Sequence, residues 1–522
     1  MNDRVSKKSV IYNVYPTSFF DSNGDGIGDL NGITQKLDYI AQFADYVWIN
    51  PIFVSPFKDG GYDVVDYYDI DKKFGTIDDL KTLLRRANEL GLKVLLDLVV
   101  GHTSDQHPWF QASQKSEKNP FTDRYVWTNG VFDECPYFAI SGNSERNGNY
   151  FVNFFHHQPS LNYGFAKVSL PWQMHYQDAR LQPLKDEVVN IINYYMELGV
   201  TGFRVDMAGS IVKDDPDGKC SAEVWKEIFG KVREKYPHAT FVSEWGVPAY
   251  AVCGDCYDID FLTHCHSDGY NRLFRKELGT NVFVDDGDSF FRPEGKGEAD
   301  TFFDYFLSNL EKVGDKGWIC VPSGNHDLPR LAQRRTDDGM KTAYAFLLAL
   351  PSVPLIYYGD EIGMKFNPSV SKDGGYNRTG ARTPMQWSAE KNAGFSTAKT
   401  EDLYLPVNDD YAVCNVKTQS KDENSLMNTL KRMLAIRKAY PQLGSEAKLE
   451  VICKTYPIVL KLNGETEDFY ALINPSARAY TLSIANAKTL EMNNTQQNGD
   501  SFTLGGESFV WLTAPKDTKV VL

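Results

Sequence analysis

The sequence predicts an α/β protein whose main domain is a closed (β/α)8 barrel, a TIM barrel. An inserted domain is expected after its third strand and an all-β sandwich domain at the C-terminal end. Three observations predict this fold class. Apolar β-like runs alternate with helical patterns over roughly the first 440 residues, the connection from about Thr103 to Ala166 is polar and rich in Asn, and short alternating strands follow about Tyr440.

The β-like runs of the first region are continuous apolar stretches, which is typical of strands in a buried parallel sheet. Helical patterns separate them, such as TIDDLKTLLRRANELG from Thr76 and KDEVVNIINYYMELG from Lys185, and Gly199 is a favourable stop for the second. Seven or eight such units predict a closed barrel. The runs are SVIYNVYP from Ser9, YVWINPIF from Tyr46, KVLLDLVV from Lys93, GFRVDMA from Gly202, ATFVSEW from Ala239, WICVPSGNHD from Trp318 and VPLIYYGDEIG from Val353.

Domain boundaries follow from the changes in pattern. Residues 1–102 and 167–440 are assigned to the barrel, 103–166 to an inserted domain over its top, and 441–522 to a C-terminal β-sandwich domain. Long connections without clear secondary structure are usually functional in compact domains. The strands predicted for the last domain are PIVLKLNG, DFYALINPS, AYTLSI and SFVWLTA.

The composition and the net charge indicate which classes of binding partner are not expected. The 522 residues are 42% hydrophobic and 24% charged, which is ordinary for a globular protein, and the net charge is −14. A nucleic-acid partner is not expected, because phosphate binding requires a basic face. The sequence has no apolar run of about 18 residues and no recognisable signal peptide, so we expect no membrane partner and a cytoplasmic location.

Eight cysteines are scattered along the chain. A chain of this length needs no disulfide framework, so they are interpreted as mostly reduced thiols. Cys253 and Cys256 form a lone C-x-x-C pair, which is a weak indication of metal or redox chemistry without a second pair.

Carboxylates follow three of the predicted strands. In a barrel the chemistry lies where strands end, so Asp206, Glu244 and Asp327 are expected to face one pocket. Arg204 precedes Asp206 by two positions and shares its face of the strand. Paired carboxylates on either side of a bond are what glycoside hydrolysis requires.

The neighbours of these carboxylates predict different protonation states. The guanidinium of Arg204 is expected to lower the pKa of Asp206 and keep it ionised, which suits a nucleophile. Trp245 beside Glu244 is expected to raise the pKa of that carboxyl, which suits a general acid.

The motifs together resemble those of the α-amylase family of glycoside hydrolases. DLVVGH, GFRVD, SEW and NHD are similar to its four signature regions, in the usual order and spacing. VYPTSFFDSNGDGIGDLNGI, GGYDVVDY, QPSLN and ARTPMQW resemble its branch of α-glucosidases, oligo-1,6-glucosidases and trehalose-synthase-like enzymes. The resemblance implies that Asp206 attacks the anomeric carbon, that Glu244 is the acid/base, and that Asp327 holds the distorted sugar ring.

The same resemblance implies a set of sugar-binding residues. Tyr62 would stack on the sugar, while Arg204, His102 and His326 would surround it. Asp63 matches the aspartate that closes the pocket around a terminal glucose in exo-acting members, although its arginine partner is not identifiable. The positions at which endo-acting amylases often carry Lys and His are Gly209 and Ser210 here, and Met207 leaves the linkage preference open.

Residues 21–29, DSNGDGIGD, resemble the front of a calcium-binding loop. Asp21, Asn23 and Asp25 stand at alternate positions, Ile27 can offer a carbonyl and Asp29 follows. A true EF-hand would have Glu at the twelfth position, which is Gly32 here, and an Asx-rich turn without metal remains the alternative. In the related branch this loop binds a structural Ca²⁺ or Mg²⁺. A second calcium site is not expected, because Gly101 replaces the Asn that many members use.

The leading hypothesis is a retaining, exo-acting α-glucosidase of short malto- or isomalto-oligosaccharides. One alternative is a glucosyltransferase or isomerase that resembles trehalose synthases, and another is an endo-acting α-amylase or cyclomaltodextrinase. A non-catalytic sugar-binding relative is the alternative from another class, and it usually lacks one or more of the carboxylates. The sequence leaves the linkage, the natural substrate and the oligomeric state open.

Overall fold

The computed structural model describes residues 4–142, 144–252, 256–262, 269–275 and 287–522. Eight parallel strands form a closed barrel in chain order, and β1 closes it by pairing with both β2 and β8. The predicted (β/α)8 barrel is therefore confirmed. Its strands are β1 (Ile11–Val14), β2 (Tyr46–Ile49), β3 (Lys93–Leu98), β4 (Gly202–Val205), β5 (Thr240–Ser243), β6 (Ile259–Phe261), β7 (Trp318–Pro322) and β8 (Val353–Tyr357).

Helices follow the strands, and their ends show why they form. Thr76 and Asp79 make a reciprocal capping box at the start of Ile77–Glu89. Gly199 ends Gln182–Leu198 with a left-handed φ of 109°, as the sequence predicts. The helices after β1 to β8 are, in order, Leu30–Gln35 with Leu37–Ile40, Ile77–Glu89, Gln182–Leu198, Lys219–Lys235, Pro248–Ala251, Tyr270–Phe274 with Asp300–Val313, Asp337–Ala349, and Leu426–Ala439; shorter helices span Pro16–Phe19, Pro108–Ser113 and Val416–Gln419.

The barrel strand that none of the seven predicted apolar runs contains is β6. It has only three residues, and the central one is the buried Asp260. A polar residue in a three-residue strand removes the apolar run on which strand prediction depends.

The connection after β3 contains little regular structure. It holds the helix Pro108–Ser113 and a two-stranded sheet of Ala139–Ile140 and Tyr150–Phe151. A small apolar cluster of its own joins Val126, Phe151, Phe165 and Trp172. Another two-stranded sheet, Phe53–Val54 with Asp66–Ile70, lies in the connection after β2.

The C-terminal region is all-β, as predicted. Its strands share one antiparallel sheet in the order β9-β10-β11-β14-β12-β15, with β13 also paired to β14. The long β14 pairs with β12 through its first half and with β11 through its second, and Gly505 and Gly506 lie between the two. Both halves contribute to a common apolar core. The strands are β9 (Leu449–Cys453), β10 (Ile458–Leu462), β11 (Glu467–Asn474), β12 (Tyr480–Ile484), β13 (Lys488–Asn498), β14 (Ser501–Pro515) and β15 (Val520–Val521).

The helix Asp337–Ala349 joins the barrel to this sheet. Its residues from Gly339 to Ala349 are all buried, which is typical of a helix covered on every side. The indole of Trp511 in β14 donates a hydrogen bond to the Ala345 carbonyl at 3.2 Å. In the part of the chain described, none of the helices has the length and apolar character needed to cross a membrane.

Candidate active site

The barrel carries a cavity of about 930 Å³ bordered by the loops that follow its strands. Active sites of (β/α)8 barrels lie at this end because the loops after the strands meet there. Six of the eight predicted catalytic and sugar-binding residues line the cavity: Tyr62, His102, Asp206, Glu244, His326 and Asp327.

Arg204 is buried in β4 and joins three carboxylates. One guanidinium nitrogen lies 2.7 Å from Asp97 and 3.0 Å from Asp206, and the other lies 2.7 Å from Glu244. Arg204 and Asp206 are two residues apart along the chain, as expected for side chains that share a face. A single guanidinium therefore fixes the carboxylates that follow β4 and β5 relative to each other.

Burial outweighs this guanidinium in setting the pKa of Asp206. Burial and the neighbouring Glu244 carboxylate raise the pKa of Asp206 well above its usual range, and the contact with Arg204 offsets them only in part. Burial likewise raises the pKa of Asp97 to about 6 against the same guanidinium. Arg204 thus lowers the pKa of Asp206 as predicted, but the predicted net decrease is wrong, because that prediction left out the cost of burying several carboxylates together.

The surroundings of Glu244 are more polar than the sequence suggests. Its Oε2 accepts a hydrogen bond from the Met207 N–H at 3.0 Å and lies 2.7 Å from Arg204. Trp245 lines the same cavity, but its indole lies against Gly209 and Gly218. Two hydrogen-bond donors therefore stand where an apolar contact was predicted.

Asp327, which follows β7, is held by three side chains. Its Oδ1 accepts hydrogen bonds from Arg378 at 2.9 Å and Arg382 at 3.0 Å, and its Oδ2 lies 3.3 Å from His326 Nε2. Burial, with smaller contributions from nearby arginines, lowers the pKa of His326 well below its usual range. The neutral imidazole can thus donate its Nε2 hydrogen to Asp327.

Tyr62 and His326 form an aromatic wall, with ring centroids 5.0 Å apart and planes 5° from parallel. The Tyr62 hydroxyl donates to Asp97 at 3.0 Å, which fixes its ring. His102 also lines the cavity; its Nε2 lies 2.8 Å from the Tyr62 carbonyl and its Nδ1 3.1 Å from the Asn153 amide. Burial lowers the pKa of His102 to about 4. Protein groups therefore engage both nitrogens of a neutral His102, and its contact with sugar stays a prediction.

Asp63 does not take the place that the sequence gives it. It is fully buried, and its carboxylate accepts hydrogen bonds from the Ser55 hydroxyl at 2.9 Å and from the N–H groups of Lys58 and Asp59 at 3.0 and 3.2 Å. It is not among the described residues that line the cavity. Its side chain shapes the loop before it, so its predicted role at the pocket is wrong.

Asp59 lies on the cavity wall instead. Its Oδ1 is 2.9 Å from Arg378 Nη2, and its Oδ2 accepts a hydrogen bond from Gln158 at 2.8 Å. Because Arg378 also contacts Asp327, it joins two carboxylates across the wall. The loop that carries Asp63 thus supplies the aspartate of an aspartate–arginine pair, but this aspartate is Asp59, four positions before Asp63.

Met207 has a left-handed backbone, with φ at 44°. The backbone of a residue other than glycine is strained in this conformation, and such strain concentrates at functional sites. The turn directs the Met207 N–H to Glu244, and the following N–H, of Ala208, donates to the Glu244 carbonyl at 3.0 Å. The loops after β4 and β5 are thereby joined next to the reacting carboxylates.

The predicted metal loop is ordered by its own hydrogen bonds. Asp21 accepts from the N–H groups of Gly24 and Gly26 at 2.7 and 2.8 Å. Asp29 caps the helix Leu30–Gln35 by accepting from Gly32 at 2.7 Å.

Asn23 and Asp25 accept from the N–H groups of Asp25 and Ile27, each at 2.9 Å. The oxygen donors of this loop are of the kind that Ca²⁺ and Mg²⁺ prefer. No group of three or more His, Cys, Asp or Glu side chains that could hold a metal occurs in the described residues. Metal binding by the loop therefore stays a prediction.

The C-x-x-C pair is only half described, since Cys253 lies outside the described residues. The Cys256 thiol donates to the Ala251 carbonyl at 2.7 Å, and burial raises its pKa to about 12. A buried thiol of this kind is unreactive. The six described cysteines are free, which agrees with reduced thiols.

The sequence did not predict several residues that line the cavity or hydrogen-bond to residues that line it: Asn50, Asp59, Asn153, Phe155, Arg378 and Arg382. Phe155 and Arg378 come from long irregular connections, where no periodic pattern predicts orientation. Arg382 begins the RTPMQW motif, which is the one signal that could have identified it.

A barrel of this kind, with three carboxylates gathered in the cavity after its strands, has the arrangement that glycoside hydrolysis requires and indicates a glycoside hydrolase. The family model of the alpha-amylase catalytic domain matches residues 13–446. The chain therefore belongs to the α-amylase family, glycoside hydrolase family 13.

Curated relatives span several activities. The oligo-1,6-glucosidase of Parageobacillus thermoglucosidasius is 31% identical over 95% of this chain and 92% of its own length. The alpha-glucosidase of Apis mellifera is 31% identical over 90% and 85%. The trehalose synthase/amylase of Mycolicibacterium smegmatis is 32% identical over 83% and 76%.

Solved structures agree in fold. The trehalulose synthase of Pseudomonas mesoacidophila MX-45 superposes with a TM-score of 0.82 at 24% identity, covering 97% of this chain and 99% of that one. The similarity extends over the barrel and the C-terminal sheet alike.

Proposed function

We propose that this protein is a retaining, exo-acting α-glucosidase that removes glucose from the ends of short malto- or isomalto-oligosaccharides. The ion pair between Asp59 and Arg378 is the observation that carries the proposal. It lines the cavity together with Asp206 and Glu244 and is tied to Asp327 through the same arginine. A charged pair on the wall supplies donors and acceptors for the hydroxyls of a terminal sugar and leaves less room for a chain that continues past it.

In the first step, an oxygen of Asp206 attacks the anomeric carbon. The glycosidic C–O bond breaks as Glu244 gives its proton to the departing oxygen, and a β-glucosyl ester forms on Asp206. Arg204 supports this step because it contacts both carboxylates and stabilises the charge that moves between them. Asp327, held by Arg378 and Arg382, is positioned to accept hydrogen bonds from the ring hydroxyls.

In the second step, the ionised Glu244 takes a proton from water. The water oxygen bonds to the anomeric carbon, and the ester bond to Asp206 breaks, so glucose leaves with its α configuration retained. Asp206 returns as a carboxylate and Glu244 as an acid, which restores the starting state.

The products formed from maltoheptaose over time test the exo mode. We expect glucose together with a series of chains shortened by one unit at a time. Mid-length fragments at the earliest times would instead indicate an endo-acting cleft. Asp206→Asn and Glu244→Gln should each lose activity, and activity unchanged in both would contradict the assignment.

Transfer to a sugar acceptor is the second candidate. The similarity to a trehalose synthase/amylase over 83% of the chain favours it. The same glucosyl-Asp206 would then react with a sugar hydroxyl that Glu244 deprotonates. Products longer than the substrate, or isomers of a disaccharide substrate, would show transfer in the same time course.

We also propose that the loop at 21–29 binds a structural Ca²⁺ or Mg²⁺. Asp21, Asn23, Asp25 and Asp29 would supply side-chain oxygens, and Ile27 its carbonyl. Such an ion would rigidify the loop before the helix Leu30–Gln35 and take no part in the reaction. Removal by EDTA should lower the midpoint of thermal unfolding, and Ca²⁺ should restore it; an unchanged midpoint in wild type would contradict the proposal.

A further inference from the structure

The indole of Trp245 occupies a space that two glycines leave open. A Cβ atom built on Gly209 would lie 2.5 Å from the indole Nε1, and one on Gly218 would lie 2.5 Å from Cζ2. Real Cβ atoms do not approach other atoms so closely. The ring therefore keeps its position only while both residues lack a side chain, and the two glycines lie in different parts of the connection after β4.

The backbone around Trp245 is fixed from two sides. The buried carboxylate of Asp260 accepts hydrogen bonds from the Ser243 hydroxyl at 2.6 Å and from the Trp245 N–H at 3.0 Å. The Tyr305 hydroxyl donates to the Gly246 carbonyl at 2.7 Å. The segment that carries Glu244 and Trp245 is thus rigid, which lowers the entropic cost of binding against it.

Other apolar groups continue the surface that Trp245 begins. Val247, Tyr250 and Tyr305 line the same cavity, and the Tyr250 ring lies 3.2 Å from a Cβ built on Gly218. The charged wall is elsewhere in the lining, where Asp59, Arg378 and Asp327 are joined to one another. The cavity therefore offers charged groups to one part of a bound molecule and aromatic rings to another.

We propose that Trp245 is the stacking platform for the leaving group, and that this leaving group is a second hexopyranose ring. The inference rests on the proposed function, in which Glu244 protonates the leaving oxygen. A general acid must lie next to that oxygen, so the residue that follows Glu244 on a rigid loop borders the group that departs. A hexopyranose presents a flat C–H face that an indole can cover, whereas an anionic group is disfavoured by the negative ring face and an acyclic group offers less contact area.

Trp245→Leu removes the aromatic face and keeps an apolar side chain. The readout is the ratio of kcat/KM for isomaltose or maltose, whichever is the better substrate, to kcat/KM for α-glucosyl fluoride. Fluoride is too small to reach a platform, so the ratio isolates contact with the leaving ring. We expect the ratio to fall about tenfold, through KM more than kcat, because the lost stacking acts on the bound ring.

Trp245→Phe keeps a smaller ring and should lie between wild type and Trp245→Leu, so it tests the proposal if the leucine variant does not fold. Phe132→Ala, at a fully exposed position, is the control that should leave the ratio unchanged. An unchanged ratio in both folded Trp245 variants would overturn the platform. Hydrolysis of neither substrate by wild type would instead overturn the proposed glucosidase, which keeps the two failures apart.

Discussion

Two arginines organise the individual side chains of the site. Arg204 joins Asp97, Asp206 and Glu244, and Arg378 joins Asp59 and Asp327. The first was predictable, since a spacing of two in an apolar strand places side chains on one face. The second was not, because Arg378 lies 319 residues from Asp59 along the chain and in a connection without a repeating pattern.

At the residue scale, replacing Asp59 and Asp63 one at a time tests which of the two aspartates belongs to the pocket. Asp59→Asn breaks the ion pair with Arg378, so we expect KM for a disaccharide to rise by about tenfold or more, the cost of losing one charge-assisted contact. Asp63→Asn should instead lower the midpoint of thermal unfolding, since its carboxylate holds the 55–59 loop. A larger effect of Asp63→Asn on KM would restore the assignment made from sequence.

The pH dependence of kcat/KM for α-glucosyl fluoride reports the ionisation of Asp206 in the free enzyme. The neighbouring Glu244 carboxylate helps to raise the pKa of Asp206. In Glu244→Gln that repulsion is gone, so the pKa of Asp206 should fall and the acid limb of the profile should move to lower pH. Fluoride needs no proton to leave, so enough activity should remain to measure the limb. An acid limb at the same or a higher pH would contradict the pairing of these two groups.

At the scale of elements, the sequence predicted which strands carry chemistry but not how their loops are fixed. Asp206, Glu244 and Asp327 follow β4, β5 and β7 as expected, because long apolar runs mark those strands. The short β6 gave no such signal, although its Asp260 anchors the loop that carries Glu244. A buried polar residue within a strand is readable as a partner only once its neighbours are known.

Asp260 should make stability depend on pH. Burial raises its pKa from 3.8 to about 7. Between these values the folded protein holds a proton that the unfolded chain has released, so the free energy of unfolding falls as pH rises through this window. Asp260→Asn removes the effect, and its midpoint of thermal unfolding relative to wild type should therefore be higher at pH 8 than at pH 5. Asp217→Asn, at an exposed position, is the control. If the midpoint of Asp260→Asn differed from that of wild type by the same amount at both pH values, Asp260 would not be a source of the pH dependence.

At the scale of the whole molecule, one buried helix packs between the barrel and the C-terminal sheet. The change of pattern near Tyr440 predicted the second domain, and the buried helix Asp337–Ala349 shows how the two pack. The burial of this helix between the two domains was not predictable from periodicity, since a helix that is buried on all sides has no single apolar stripe to indicate which partner covers which face.

Trp511 tests this packing. Trp511→Ala removes a fully buried indole and its hydrogen bond to Ala345, a loss of about 3–5 kcal/mol, so the midpoint of thermal unfolding should fall. In Trp511→Phe the midpoint should fall less, because most of the ring volume remains. Activity per folded molecule should stay near that of wild type, since Trp511 lies in the sheet domain. An unchanged midpoint in Trp511→Ala would mean that this contact contributes little.

The central claim is that Asp206 forms a covalent glucosyl ester. The most direct test is mass spectrometry of peptides after reaction with 5-fluoro-α-glucosyl fluoride, whose ring fluorine slows the second step so that the ester accumulates. We predict that the peptide containing Asp206 gains one fluoroglucosyl group and that Asp206→Asn gains none. Turnover without any labelled peptide, or a label on Glu244 or Asp327 in the wild-type protein, would contradict the assignment of the nucleophile.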